Sequence, residues 1–311
     1  MPVLMSEKYH RSYHLNPVGL RGNLRHNEPM SKHTSWRVGG VAEWFYEPAD
    51  LADLAALCEQ LPTDIPVEWI GLGSNLLVRD GGIKGLVILT AGLLNELNPL
   101  DETSFYVEAG VSCAKVARNT VRAGLTGAEF LAGIPGTMGG ALAMNAGAWG
   151  YETWNIVRSV KTLDRHGVYH HRTATDYVIN YREVKRLEQE WFVSATLQLT
   201  PDETGDGQRA IRALLHKRNQ TQPTSLPTCG SVFRNPTGDH AARLIEAAGL
   251  KNHQIGGACV SEKHANFIVN QGHATAADIE QLIAYIQHCI KTQYDIQLVP
   301  EVHMLGEPSS E

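Results

Sequence analysis

Apolar positions in this chain recur with two different periods, and the switches between them mark out the elements. From Asp50, DLADLAALCEQL sets leucines at 51, 54, 57 and 61, the spacing of an amphipathic helix. Asp50 stands at the N-cap position and Pro62 follows the end. The short apolar runs VEWIGLG (67–73), GLVILT (85–90) and SFYVEAG (104–110) lie between glycine-rich or polar turns and predict strands. SCAKVARNTVRA (112–123) predicts a helix that stops at Gly124. IVRSVKTL (156–163) and EWFVSATLQLT (190–200) predict strands flanking the turn-like TATDYVINYREV (173–184). The polar TPDETGDGQ (200–208) is the best domain boundary. Beyond it the pattern predicts helices in QRAIRALLHKR (208–218), HAARLIEAAG (240–249) and from Ala276 onward, with strands in CGSVFRN (229–235), ANFIVN (265–270) and IQLVPEVHML (296–305). Strands and helices do not alternate strictly, so an α+β class is expected rather than a doubly wound parallel sheet.

One segment fits neither period. EFLAGIPGTMGGALAMNAGAWG (129–150) gathers glycine and alanine, which weaken helices and strands alike. A flexible linker would not carry Phe130, Ile134, Met138, Met144 and Trp149, so the bare backbone implies close approach to something. A second small-residue stretch, GLGSNLLVRDGGIKG (71–85), has Leu76 where a dinucleotide-binding fingerprint needs its third glycine. GIPGTMGG likewise lacks the Lys-Ser/Thr of a phosphate-binding P-loop. Successive amides in a Gly-Ser-Asn turn still make an anion cradle, and two such stretches point to a large phosphate-bearing cofactor.

The chain has 311 residues, 43% hydrophobic and 19% charged, enough for two or three domains with substantial cores. Its net charge of −6 argues against nucleic acid or an anionic membrane surface as the main partner. No apolar run approaches the ~18 residues of a membrane helix. Residues 1–30 are basic and His-rich without an apolar core, and read as a loosely ordered leader. Five cysteines with no C-x-x-C pair suit reduced thiols in a cytoplasm, and no metal site is expected.

The ordered set TSWRVGG (34–40), GLGSNLL (71–77), GIPGTMGGALAMNAGAWG (133–150), YR (181–182), CGSVFRNP (229–236), HANFIVN (264–270) and PEVHMLG (300–306) resembles the UDP-N-acetylenolpyruvoylglucosamine reductase family, in its shorter form. The likeness runs from about residue 31 to 306. It implies a two-part FAD-binding module of the vanillyl-alcohol-oxidase type, at 31–92 and 93–202, followed by a C-terminal α/β substrate-binding domain at 203–311. Implied partners are non-covalent FAD, NADPH as co-substrate and a UDP-sugar, in a monomer.

By the same resemblance, Gly71, Gly73, Ser74, Asn75 and Leu76, with Gly133, Ile134, Pro135, Gly136, Thr137, Gly139, Gly140, Asn145 and Gly147, would wall the FAD. The family's reaction adds a hydride and a proton to an enolpyruvyl ether, so negative charge must be stabilised on the attached carboxylate. Arg182 would face that carboxylate as a permanently charged fork. Glu301 would be protonated in order to donate a hydrogen bond, and Ser231 would deliver the proton. Tyr181, Asn235, His264 and Asn266 match substrate-contacting positions. Two departures stand out: Val184 replaces a serine common in the family two residues after the arginine, and Thr221 replaces a lysine, leaving Lys217 or Arg218 to meet a diphosphate. A different FAD oxidase or dehydrogenase of this fold and a non-catalytic UDP-sugar binder are the alternatives. The Ser–Arg–Glu set counts against both.

Overall fold

A computed structural model describes residues 15–309. The first sheet runs Asn23–Pro29, Val41–Glu47, Ile83–Leu89, Val67–Ile70; its first pair is antiparallel and the other two are parallel. Helix α1, Leu51–Gln60, connects Val41–Glu47 toward Val67–Ile70, capped as expected by the Asp50 carboxylate accepting from the Asp53 amide. Its leucines 54 and 57 are fully buried with Tyr46, Leu86 and Ile88. The edge strand Asn23–Pro29 corrects the leader reading: these residues pair along Val41–Glu47, although their sequence shows little alternation. The first fourteen residues of that leader lie outside the described residues.

The second sheet is antiparallel, in the order Tyr169–Arg172, Val157–Asp164, Glu190–Gln198, Ser104–Glu108, Leu97–Pro99. Helix α2, Cys113–Arg122, is capped by Ser112. The small-residue stretch becomes a 3₁₀ turn, Glu129–Gly133, and a short helix α3, Met138–Met144. Met138, Ala141 and Leu142 of α3 are buried in this domain's core with Val107, Trp154 and Leu197. The turn-like segment at 173–184 includes a strand of its own, Val178–Asn180, paired with Glu183–Lys185.

After helix α4, Gly207–Thr221, the C-terminal part packs α5, Ala241–Ala247, and α6, Ala276–Tyr294, around a small antiparallel sheet of Gln254–Ile255, Ala258–Val260 and Ile268–Asn270. Two predicted strands shrink. CGSVFRN is interrupted by Gly230 at φ +78° and forms no strand, with a single isolated bridge at Phe233 to Pro300. In IQLVPEVHML, Pro300 has no N–H to give, and only His303–Leu305 forms a strand.

That last strand pairs in parallel with Leu76–Val78, directly after the Gly-Ser-Asn turn. The C-terminal part is thereby stitched to the first sheet's domain. Trp36 is fully buried, donates from Nε1 to the Ile268 carbonyl (2.8 Å), and accepts from Asn270 on its own carbonyl (2.8 Å). Arg79 forks onto Glu280, and Asp80 caps α6 through the amides of Ala276 and Ala277. These bonds bring three segments distant in sequence to one cleft.

Candidate active site

The glycines of the two small-residue stretches divide into two groups. At several of them protein meets protein. A Cβ at Gly73, itself at φ +62°, would lie 1.9 Å from the His33 carbonyl oxygen, and one at Gly133 2.1 Å from the Trp149 ring. A Cβ at Gly71 would lie 2.4 Å from Thr137 Oγ1. Gly139 sits with its Cβ position 3.0 Å from the Ala109 Cβ, and its amide donates to the Ala109 carbonyl. Leu76 is a buried strand residue whose amide donates to Cys229 Sγ (2.9 Å). Several of these glycines are thus needed where protein meets protein, within each half-domain at Gly73, Gly133 and Gly139 and between the two at Gly71.

The rest face open space. Pro135 and Gly140 are exposed, and Gly136 and Ser74 are half-buried beside one another. Among the described residues the amides of Ser74, Asn75 and Gly136 have no hydrogen-bond acceptor. Thr137 Oγ1, at the start of α3, is buried without a partner. Unsatisfied donors and a buried hydroxyl converging from two loops fit the pyrophosphate of a dinucleotide, which would complete them. Next to them opens a cavity of about 320 Å³, lined by Thr34, Ser35, Arg37, Ser74, Pro135, Arg218, Thr228, Gly230 and others, with no carboxylate among its lining residues. Burial alone pushes the Arg218 guanidinium below its ordinary pKa, with no acid to counter it, and Arg37 is held at φ +60°. The site is built for anions. A larger groove, about 790 Å³ on the C-terminal part, contains none of the predicted site residues.

Arg182 lies across the cleft from Glu301, Nε 3.5 Å from Oε1. Its conformation is unusual for a non-glycine residue, φ +57°, at the turn between Val178–Asn180 and Glu183–Lys185. The guanidinium donates to the carbonyls of Gly147 (2.7 Å) and Asn145 (3.3 Å) and lies 4.7 Å from the Tyr181 ring centroid, with the Glu152 carboxylate 3.7 Å away. Asn145 and Gly147, expected against the cofactor, thus support Arg182. Asn145 is buried at φ +47°, its amide spent on Glu152, Asn180 and Trp154. A Cβ at Gly147 would press on the Tyr151 carbonyl, 2.2 Å away.

Glu301 receives opposing influences. Burial, the largest, raises its carboxyl pKa, while Arg182 and Arg234 pull it down, and the net direction is up. Its backbone amide donates to the Val232 carbonyl (2.8 Å), and its carbonyl accepts from the Asn75 side chain (2.9 Å). Glu301 is so tied on one side to the segment carrying Ser231 and on the other to the Gly-Ser-Asn turn. The Ser231 hydroxyl is half-buried and has no hydrogen-bond partner among the described residues.

The remaining candidates do other work. Asn266 is buried, with Oδ1 accepting from the Phe233 amide (3.0 Å) and Nδ2 donating to the Phe233 carbonyl (2.8 Å). Its side-chain amide holds the Ser231 segment. Asn235 is exposed and its Oδ1 caps α5 at the Ala241 amide (3.1 Å). His264 packs edge-on to Phe267 with a buried, unpartnered Nδ1, and burial lowers its pKa. Tyr181 is 46% exposed. Val184 is buried in the second core, and Thr221 turns its hydroxyl back onto the Lys217 carbonyl. Sequence reasoning missed Asn75 as the link to Glu301 and Cys229 as the acceptor under the turn; neither leaves a signal in spacing.

Residues 42–172 match the FAD binding domain model, and 222–305 match the C-terminal domain of UDP-N-acetylenolpyruvoylglucosamine reductase. With the cradle and cleft described above, this makes the protein a flavin-dependent oxidoreductase with a two-part FAD-binding module. A reductase of that name from Alkalilimnicola ehrlichii is 56% identical over 93% of this chain and 97% of its own. One from Legionella pneumophila (strain Lens) is 54% identical over 92% and 94%. The solved enzyme of Thermus caldophilus matches with a TM-score of 0.78 and 29% identity, covering 92% of this chain and 100% of that one. The chain belongs to the UDP-N-acetylenolpyruvoylglucosamine reductase family.

The packing of Gly139 makes one consequence measurable. Gly139→Val should drive α3 away from Ala109, since its branches extend beyond a Cβ already at 3.0 Å. Overpacking of this kind costs about 1–3 kcal/mol, so the variant should melt lower and lose FAD on gel filtration. A yellow variant with the parent melting temperature would refute this.

Proposed function

We propose that the protein reduces UDP-N-acetylglucosamine enolpyruvate to UDP-N-acetylmuramate for cytoplasmic peptidoglycan precursor synthesis, with NADPH as the source of electrons. The observation that carries this reading is the Arg182–Glu301 pair facing one cleft with the Ser231 segment bonded to the Glu301 backbone. When bound, FAD supplies hydride chemistry to the cleft. The amides of Ser74, Asn75 and Gly136 and the hydroxyl of Thr137 would hold its pyrophosphate; Arg37 and Arg218 supply positive charge for phosphates of either ligand.

Arg182 fixes the enolpyruvyl carboxylate through its guanidinium, already oriented by two backbone carbonyls. Glu301, whose carboxyl burial shifts toward the protonated form, donates a hydrogen bond to the same carboxylate when protonated and so stabilises charge that builds there during reaction. Ser231 Oγ then gives its proton to the adjacent carbon. A hydroxyl is a weak acid and serves only when held against a strongly basic carbon, which the clamped segment at 229–236 provides.

Oxidation of NADPH by the FAD-loaded protein should require UDP-N-acetylglucosamine enolpyruvate and yield UDP-N-acetylmuramate in equal amount. Oxidation driven by oxygen and indifferent to the sugar would point instead to an oxidase, and bound sugar without turnover to a binder.

A further inference from the structure

The turn that offers its amides to an anion also holds the far wall of the cleft, and Asn75 takes part in both. Its own N–H has no acceptor among the described residues and belongs to the cradle. Its carbonyl accepts from the His303 amide (3.1 Å), and its side-chain Nδ2 donates to the Glu301 carbonyl (2.9 Å). These two bonds grip the chain on either side of Val302, whose side chain is buried in the C-terminal core. The Glu301 backbone can shift only if one of them breaks.

A side-chain amide has two hydrogens to give. The second of Asn75 goes to Met144 Sδ, 2.9 Å away, in the last residue of α3. The next residue, Asn145, lends its carbonyl to Arg182 (3.3 Å). Sulfur is a weak acceptor, so the Glu301 carbonyl is the stronger anchor of the two. One step along the chain, the Leu76 amide donates to Cys229 Sγ (2.9 Å), two residues before Ser231. Residues 75–76 therefore connect the cradle to the segments that carry Arg182, Ser231 and Glu301.

We propose that Asn75 is a positioning residue through which occupation of the cradle fixes Glu301. A pyrophosphate accepting from the Asn75 N–H orders the turn, and the ordered side chain holds the Glu301 backbone against the Val232 carbonyl, to which its amide already donates (2.8 Å). The part given to Glu301 in the reaction rests on the function proposed above; the coupling between the cradle and residues 299–305 does not.

Two measurements on the full-length protein keep those readings apart. In hydrogen exchange, saturating FAD should slow the peptide spanning 299–305 by about two- to tenfold in the wild type, the effect of firming one hydrogen bond. The same addition should leave that peptide unchanged in Asn75→Ala, and in Asn75→Ser, which keeps a turn-forming residue should the alanine variant not fold. In turnover at equal flavin content, Asn75→Ser should lower kcat by about two- to tenfold. On a Glu301→Ala background it should change kcat by less than about twofold, because a residue acting through Glu301 then has nothing left to position. An equal loss in both backgrounds, or protection of 299–305 by FAD that survives the Asn75 substitutions, would overturn the proposal. If the wild type does not turn over the enolpyruvyl sugar, the substrate reading fails, and the exchange measurement alone decides the role of Asn75.

Discussion

Ser231→Ala should lower turnover by about 10²- to 10⁴-fold, the range for loss of a positioned proton donor, while leaving reduction of bound FAD by NADPH at its original rate. The two half-reactions come apart because the hydroxyl makes no hydrogen bond within the described residues and its loss disturbs none. Val232 and Phe233 remain bonded to Asn266, and Val232 to Glu301, so the backbone stays in register. The melting temperature should therefore match the parent's. Rapid mixing with NADPH and then the enolpyruvyl sugar should show bleached flavin that fails to recolour. Ser231→Cys, smaller in its perturbation and more acidic, should recover part of the rate. Full turnover by the alanine variant would take the proton-donor role from Ser231.

Glu301→Ala should cost about 10²- to 10³-fold in kcat, the usual loss when a preorganised donor to developing negative charge is removed. Glu301→Gln should cost less, because the amide remains a neutral donor of nearly the same shape. The pH dependence separates the two explanations. Burial raises the Glu301 pKa, so the donating form is the one present at lower pH and is lost as pH rises through that value. Turnover should then fall on the alkaline side, toward tenfold per pH unit for a single proton. The glutamine variant has no proton to lose there, and its alkaline limb should vanish. An alkaline limb unchanged in Glu301→Gln would show that a different group titrates.

The difference between what could be read early and what could not follows from the range of the forces involved. Helix α1 with its Asp50 cap, α2 stopping before Gly124, and the strand at 190–198 rest on local periodicity and capping, which a linear sequence displays. Strand Asn23–Pro29 escaped notice because an edge strand with polar residues gains its stability from its partner at 41–47, not from its own pattern. The segment around Ser231 looked like a strand, yet Gly230 in a left-handed conformation breaks it. In the same way, spacing distinguished glycine-rich from ordinary backbone but not which glycine faces a ligand.

By itself the sequence determined the α+β class, the small-residue stretches at 71–77 and 133–150, and, through resemblance, Arg182, Ser231 and Glu301 as the group to seek. The tertiary structure alone decided that Asn145, Gly147 and Asn266 brace those residues and that Asn75 joins the anion-binding turn to Glu301. The physical reason is that packing and hydrogen bonding join residues up to 234 positions apart, as in the bond from Asn270 to Trp36, whereas periodicity and capping act over a few turns of chain.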